Sequence, residues 1–249
     1  MTGIDPTLLA LATIALILGG MAKGTLGIGL PIIVIAILSN FLPVVTVLAI
    51  VSLPILATNF WQAVHSGNLM RPLKRFWLLI LFLMTGIWLG AKIVVSLAPE
   101  TLYAVLGVVV VLFTLTVYFK PPRTLPARLE KWVSPVAGLT GGLLGGISTV
   151  WGPPMIMYFV MLRLDKDEFV RTVGLVWFTA AVPMVIAYAG NGILTKDLAV
   201  VSLIACVPGF IGVAIGQAIR NRINQETFRK ALLIILFIIG LNLIRRAFF

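Results

Sequence analysis

Apolar residues run through this chain in long blocks, with the polar residues gathered into short gaps between them. Six uninterrupted blocks predict helices over roughly 42–64, 76–96, 101–119, 168–189, 197–219 and 226–247. Each approaches the roughly 20 residues an α-helix needs to cross a hydrocarbon core about 30 Å thick. Two further apolar stretches, 6–39 and 133–163, are each interrupted in the middle. The interruptions share a form: "KGTLGIGLP" at 23–31 and "GGISTVWGPP" at 145–154, glycines followed by proline. Alternating barrel strands of about ten residues do not occur. The pattern predicts an all-α, polytopic, multi-pass membrane protein, because only helices and closed barrels satisfy their own backbone in lipid.

Composition strengthens this reading. Of 249 residues, 60% are hydrophobic and 11% charged, with a mean hydropathy of +1.12. A soluble domain of this length cannot bury so much apolar surface. The single cysteine, Cys206, lies in an apolar block and excludes a disulfide framework or a cysteine metal cluster. A formal charge of +11 would suggest nucleic acid in a soluble protein. Here the Lys and Arg sit between apolar blocks, so they read as topology signals and partners of anionic headgroups; the lipid bilayer is the expected partner and nucleic acid is not. The N-terminus has no basic segment before its apolar stretch, so no cleaved signal peptide is expected.

The two interrupted stretches raise the question of a repeat. "GIWLGAKIVVSLAPETL" from Gly86 aligns without a gap on "GVAIGQAIRNRINQETF" from Gly212, pairing Gly86 with Gly212 and Gly90 with Gly216. "GGMAKGTLGIGLP" likewise faces "GGLLGGISTVWGPP". These matches predict two repeats, 1–119 and 133–249, joined by the Pro-rich, basic linker "KPPRTLPARLEKW" at 120–132. Charge assigns their orientation. The 65–75 loop carries Arg71, Lys74 and Arg75, whereas its partner near 190–197 has Lys196 beside Asp197; conversely the 97–100 turn is nearly uncharged, while 220–230 carries Arg220, Arg222, Arg229 and Lys230. By the positive-inside rule equivalent loops lie on opposite sides, so the repeats are expected to be inverted, each a broken, re-entrant-like hairpin plus three spanning helices, with a cytoplasmic linker. The second arm of the 133–163 hairpin is about 17 Å long as a helix, too short to span. The mirrored arrangement places both termini outside, against which Arg245 and Arg246 stand.

The breaks are also where chemistry is expected. Proline suits the first turn of a helix, and glycine permits the preceding backbone conformations. Each break should therefore expose helix N–H groups and a positive dipole end within the protein, near the hydroxyls of Thr25, Ser148 and Thr149: an anion site near the membrane midplane. Close helix packing is the plainer use of the glycines in "GLTGGLLGG". Lys23 precedes the first break and would need an anion or water if it lies at the midplane; it would be an ordinary snorkelling lysine if the first arm spans fully. Asn59 and Gln62 share one face of a predicted helix and could bond an anion without committing a charge, or simply another helix. Arg171 and Gln217 are candidate gate or pore residues. His65 is a candidate proton-coupling group, Lys92 is expected to snorkel, and Trp151, Trp177 and Tyr188 could line a cavity. Paired carboxylates within a span, metal-ligand clusters and a P-loop are all missing from the sequence, so no catalytic residues or cofactors are expected and the protein is not read as an enzyme.

Two half-length repeats, each opening on a Gly-rich segment and proline, with "GxxGGxxGG...GPP" in the second, resemble the sulfite exporter TauE/SafE family, also called TSUP. The resemblance covers nearly the whole chain. Its motif positions are Gly24, Gly27, Gly29 and Pro31, then Gly141, Gly142, Gly145, Gly146, Gly152, Pro153 and Pro154; "GTLGIGLP" is less glycine-dense than the family's usual first motif. The resemblance implies a bacterial inner-membrane transporter that exports a small sulfur-containing anion, sulfite or an organosulfonate such as sulfoacetate, by alternating access. A coupling proton or ion and an oligomer are compatible with it. The alternatives are an anion channel or passive pore, a transporter of a small non-sulfur carboxylate, and a non-transporting scaffold in which the glycines serve packing alone. A cation transporter is disfavoured because no acidic residue sits at either break.

Overall fold

The structure is a computed structural model. It describes residues 6–65, 67, 69–119, 124–164 and 166–220, and near the C-terminus 234, 237, 238, 240–245, 247 and 248. The expected 226–247 span therefore falls largely outside the described residues. The described chain is helical and contains no strand: α1 (Pro6–Leu26), α2 (Leu30–Leu38), α3 (Val44–His65), α4 (Met70–Val94), α5 (Pro99–Tyr118), α6 (Ala127–Ser148), α7 (Gly152–Met161), α8 (Lys166–Gly190) and α9 (Lys196–Arg220). By length and apolar composition α1, α3, α4, α8 and α9 can each cross a membrane. Their outward faces carry exposed Trp77, Leu81, Trp88, Leu203, Ile204 and Val207, side chains suited to lipid rather than water.

The expected span beginning at 76 proves to be the later part of a longer helix. Met70–Val94 runs through a local distortion at Phe76, whose φ of -105° and ψ of 17° leave helical values. Both interrupted stretches break into a long and a short helix, α1 with α2 and α6 with α7. Pro54 lies inside α3, where it cannot donate to the carbonyl of Ile50 one turn earlier. Ser202 of α9 repairs the gap: its Oγ donates to Ile50 O at 2.8 Å and accepts from the Leu53 N–H at 3.1 Å.

Two close helix crossings organise the bundle. On α4 and α6, a β-carbon on Gly142 would stand 2.9 Å from the Gly86 Cα, and one on Gly146 2.9 Å from the Gly90 Cα. On α1 and α9, a β-carbon on Gly20 would stand 2.9 Å from the Gly212 Cα, and one on Gly24 3.0 Å from the Gly216 Cα. Both pairs run parallel, backbone against backbone, at a separation only glycine allows.

Polar contacts tie the ends of these helices together. Arg75, near the start of α4, donates to both carboxylate oxygens of Glu130 on α6 at 3.0 and 3.2 Å, and to Glu168 on α8 at 3.1 Å. Leu125, just before α6, donates its N–H to Met161 O at the end of α7 at 2.9 Å. The outer ends of α6 and α7 therefore lie together, beside the starts of α4 and α8. At the other end of the bundle, Asn191 after α8 donates to Ala91 O of α4 at 3.2 Å.

Candidate functional site

The first break is built on glycine. Gly27 has φ 79° and Gly29 φ 113°, left-handed values that cost an L side chain about 1–2 kcal/mol. The Gly27 N–H closes α1 on Lys23 O at 2.7 Å. The α2 helix then starts with Pro31 in its first turn. The N–H groups of Gly29, Leu30 and Ile32 have no acceptor within that turn by position, while Pro31 has no N–H.

At the second break a non-glycine residue turns the chain. Thr149 takes φ 59°, ψ 7° at the end of α6, and its N–H bonds Gly145 O at 2.7 Å. Ser148 Oγ donates to Leu144 O at 2.6 Å and accepts from the Val150 N–H at 3.1 Å, which holds the turn. Tyr188, fully buried on α8, donates its hydroxyl to Gly146 O at 2.9 Å, a carbonyl in the last turn of α6. The α7 helix follows with Gly152, Pro153 and Pro154, so its first turn offers fewer N–H donors than that of α2.

Both breaks open onto one cavity of about 30 Å³. Gly29 and Pro31 line it from the first break, Thr149, Trp151 and Gly152 from the second, Lys23 from α1, Thr58 and Asn59 from α3, and Trp177 from α8. Lys23 is only 7% exposed, and its Nζ donates to Asn59 Oδ1. The Asn59 amide in turn donates to Trp177 O at 3.4 Å. Thr149 Oγ1 is fully buried and has no hydrogen-bond partner. Among the described residues no carboxylate lines the cavity. A buried ammonium whose protein partner is a neutral amide, beside a hydroxyl with nothing to bond, is an arrangement that an anion completes.

The cavity thus gathers Lys23, Gly29, Pro31, Asn59, Thr149 and Gly152 from the residues expected at a site. The other expected residues lie around it. Thr25 bonds its own helix at Met21 O and Ala22 O, at 2.7 and 3.1 Å, and Ser148 holds the second turn. Gly27 is in the first break but not in the wall; Gln62 approaches it, with its Nε2 3.8 Å from where a Gly27 β-carbon would be. Arg171 lies near Gly67, away from the cavity wall, and Pro153 follows Gly152 in the first turn of α7. His65 is stacked on Trp61 at 3.7 Å, and Lys92 and Gln217 are exposed. Sequence reasoning missed Ile55 and Thr58; their signal was position, since Thr58 adjoins Asn59 and Ile55 lies one turn before it on the same face.

Residues 11–243 match the profile of a family described as sulfite exporter TauE/SafE. The chain belongs to the TauE/SafE family. It is accordingly a helical membrane protein of a transporter family. No match was found among curated proteins or among solved structures. In this TauE/SafE chain Gly142 and Gly146 make the α4 crossing, while Gly152 reaches the cavity.

Proposed function

We propose that this protein is a secondary transporter of the bacterial inner membrane that exports a small sulfur-containing anion by alternating access. The observation that carries the reading is the convergence of both helix breaks, the Lys23 ammonium and the unpartnered Thr149 hydroxyl on one buried cavity. Backbone N–H groups and a hydroxyl hold an oxyanion through several weak bonds, which permits release. A cavity of about 30 Å³ has room for about one water. The site is contracted around its donors in this state, and binding requires one hairpin to move.

The two-repeat organisation, 1–119 and 133–249 about the 120–132 linker, belongs to the same proposal. Its support is the exchange relation between the two crossings. Gly86 and Gly90 of α4 meet Gly142 and Gly146 of α6, and their sequence counterparts Gly212 and Gly216 of α9 meet Gly20 and Gly24 of α1. The first helix of each half thus packs on the fourth helix of the other. The hairpin ends add to this. The α6–α7 pair opens beside the starts of α4 and α8, whereas α1 runs parallel to α9, which begins at the end where α8 finishes. A two-fold axis in the membrane plane accounts for both relations.

The test is flux from proteoliposomes loaded with sulfite or a sulfonate, alongside thermal stabilisation of the purified protein by the same anions. Saturable anion flux that disappears in Lys23→Gln while the variant stays folded is the expected result. Stabilisation by a cation and by none of the anions would sink the proposal.

A further inference from the structure

The geometry points to a site that selects anions of a single negative charge, hydrogensulfite or a simple monosulfonate, and rejects dianions such as sulfate, the fully ionised sulfite ion and sulfoacetate. The inference rests on the anion-site reading above and narrows it. It comes from a count of charge at the cavity wall. Helices α1, α2, α3, α7 and α8 and the two breaks all contribute to that wall, and among the described residues Lys23 is the only charged side chain they bring. The remaining polar groups are neutral, the Asn59 amide and the hydroxyls of Thr58 and Thr149. The Thr58 hydroxyl bonds Pro54 O at 2.6 Å, so Thr149 is the hydroxyl left for a ligand. The α9 helix packs behind α1 through Gly212 and Gly216 and is absent from the wall.

Helix ends do not supply the missing charge. Each break sets the end of one helix against the start of the next, α1 before α2 and α6 before α7, so a negative pole faces every positive one and the two largely offset. The rest of the wall is uncharged: Ile28, Leu30, Ile55, Val150 and the rings of Trp151 and Trp177. In such surroundings one ammonium balances one anionic charge, and a second would be buried without a partner, which is strongly unfavourable. The Thr149 hydroxyl, both donor and acceptor, suits an oxyanion that itself carries a proton, as hydrogensulfite does.

The test uses the full-length protein and three probes: methanesulfonate, sulfate and sulfite. Methanesulfonate should stabilise the protein against heat, and sulfate at equal concentration and pH should bind at least about tenfold more weakly. The affinity for sulfite relative to methanesulfonate should fall as pH rises through the ionisation of hydrogensulfite; taking the ratio cancels any change in the protein. Lys23→Gln, checked for folding by circular dichroism, should weaken methanesulfonate binding by at least about tenfold. Sulfate binding as tightly as methanesulfonate, or a sulfite ratio that rises with pH, would overturn the single-charge rule while leaving the anion site standing. Failure of every anion to bind would remove the anion site itself, and the rule with it.

Discussion

The two helix breaks each join a long helix to a short one, yet they contribute different chemistry to the cavity between them. The first, at 27–29, turns on two glycines at positive φ, keeps one proline, and lies just after Lys23. The second, at 149–151, turns on a threonine at positive φ and is followed by two prolines. The first therefore supplies the charge and more of the backbone N–H donors, while the second supplies a hydroxyl and an aromatic wall. Two breaks of like form are furnished differently. The crossings that support them remain glycine against glycine on both sides, because there the constraint is distance and not chemistry.

The sharpest way to break this comparison is at the crossings. If the scaffold is shared, Gly142→Val and Gly212→Val should fail alike, since each forces a side chain into the opposing backbone. Overpacking of this kind costs about 1–3 kcal/mol or more, so both variants should show little monodisperse protein by size-exclusion chromatography. A well-folded Gly212→Val beside an unfolded Gly142→Val would end the equivalence. Next comes the charge. Lys23→Met should reduce anion affinity by about 2–5 kcal/mol, the usual range for truncating one partner of a buried charged pair, as read by calorimetric titration.

A smaller effect separates the hydroxyls of the two breaks. Thr149→Val should weaken anion binding by about 1 kcal/mol, roughly fivefold, whereas Thr25→Val, whose hydroxyl bonds its own helix, should leave affinity unchanged. Equal losses in the two variants would erase the assigned difference. Smallest is the ion-pair cluster at the helix starts. Arg75 is 37% exposed in its pair with Glu130, so Arg75→Ala should shift stability by under about 1 kcal/mol in a detergent melt, without changing affinity.

Much of the fold was legible because helices in lipid announce themselves by length and apolarity. The blocks at 42–64, 168–189 and 197–219 appear as Val44–His65, Lys166–Gly190 and Lys196–Arg220, each boundary within two residues. The start of α4 was not legible to the same degree, because Arg71, Lys74 and Arg75 read as a basic gap between apolar blocks, and only the structure shows Arg75 paired with Glu130 and Glu168. The site divides in the same way. Lys23, Gly29, Asn59 and Thr149 could be nominated from residue type, since a lysine or asparagine within an apolar block calls for a partner. Thr58 could not, because a threonine in a membrane helix ordinarily bonds its own backbone, as this one does. Thr25 and Thr149 looked equivalent in sequence; only the direction of each hydroxyl separates them.

What the sequence determined by itself is therefore what local physics dictates: that the chain is a set of apolar helices, where two of them break, and which residues at the breaks carry charge or hydroxyls. Glycine, proline and apolar length act within a few residues, so their consequences can be read in one dimension. Only the tertiary structure decided that breaks more than a hundred residues apart share a cavity, that Asn59 is the partner of Lys23, and that the hydroxyl of Thr149 has none. Those facts depend on how α1, α3, α6 and α8 pack, and packing at glycine crossings is set by backbone shape that no single stretch of sequence contains.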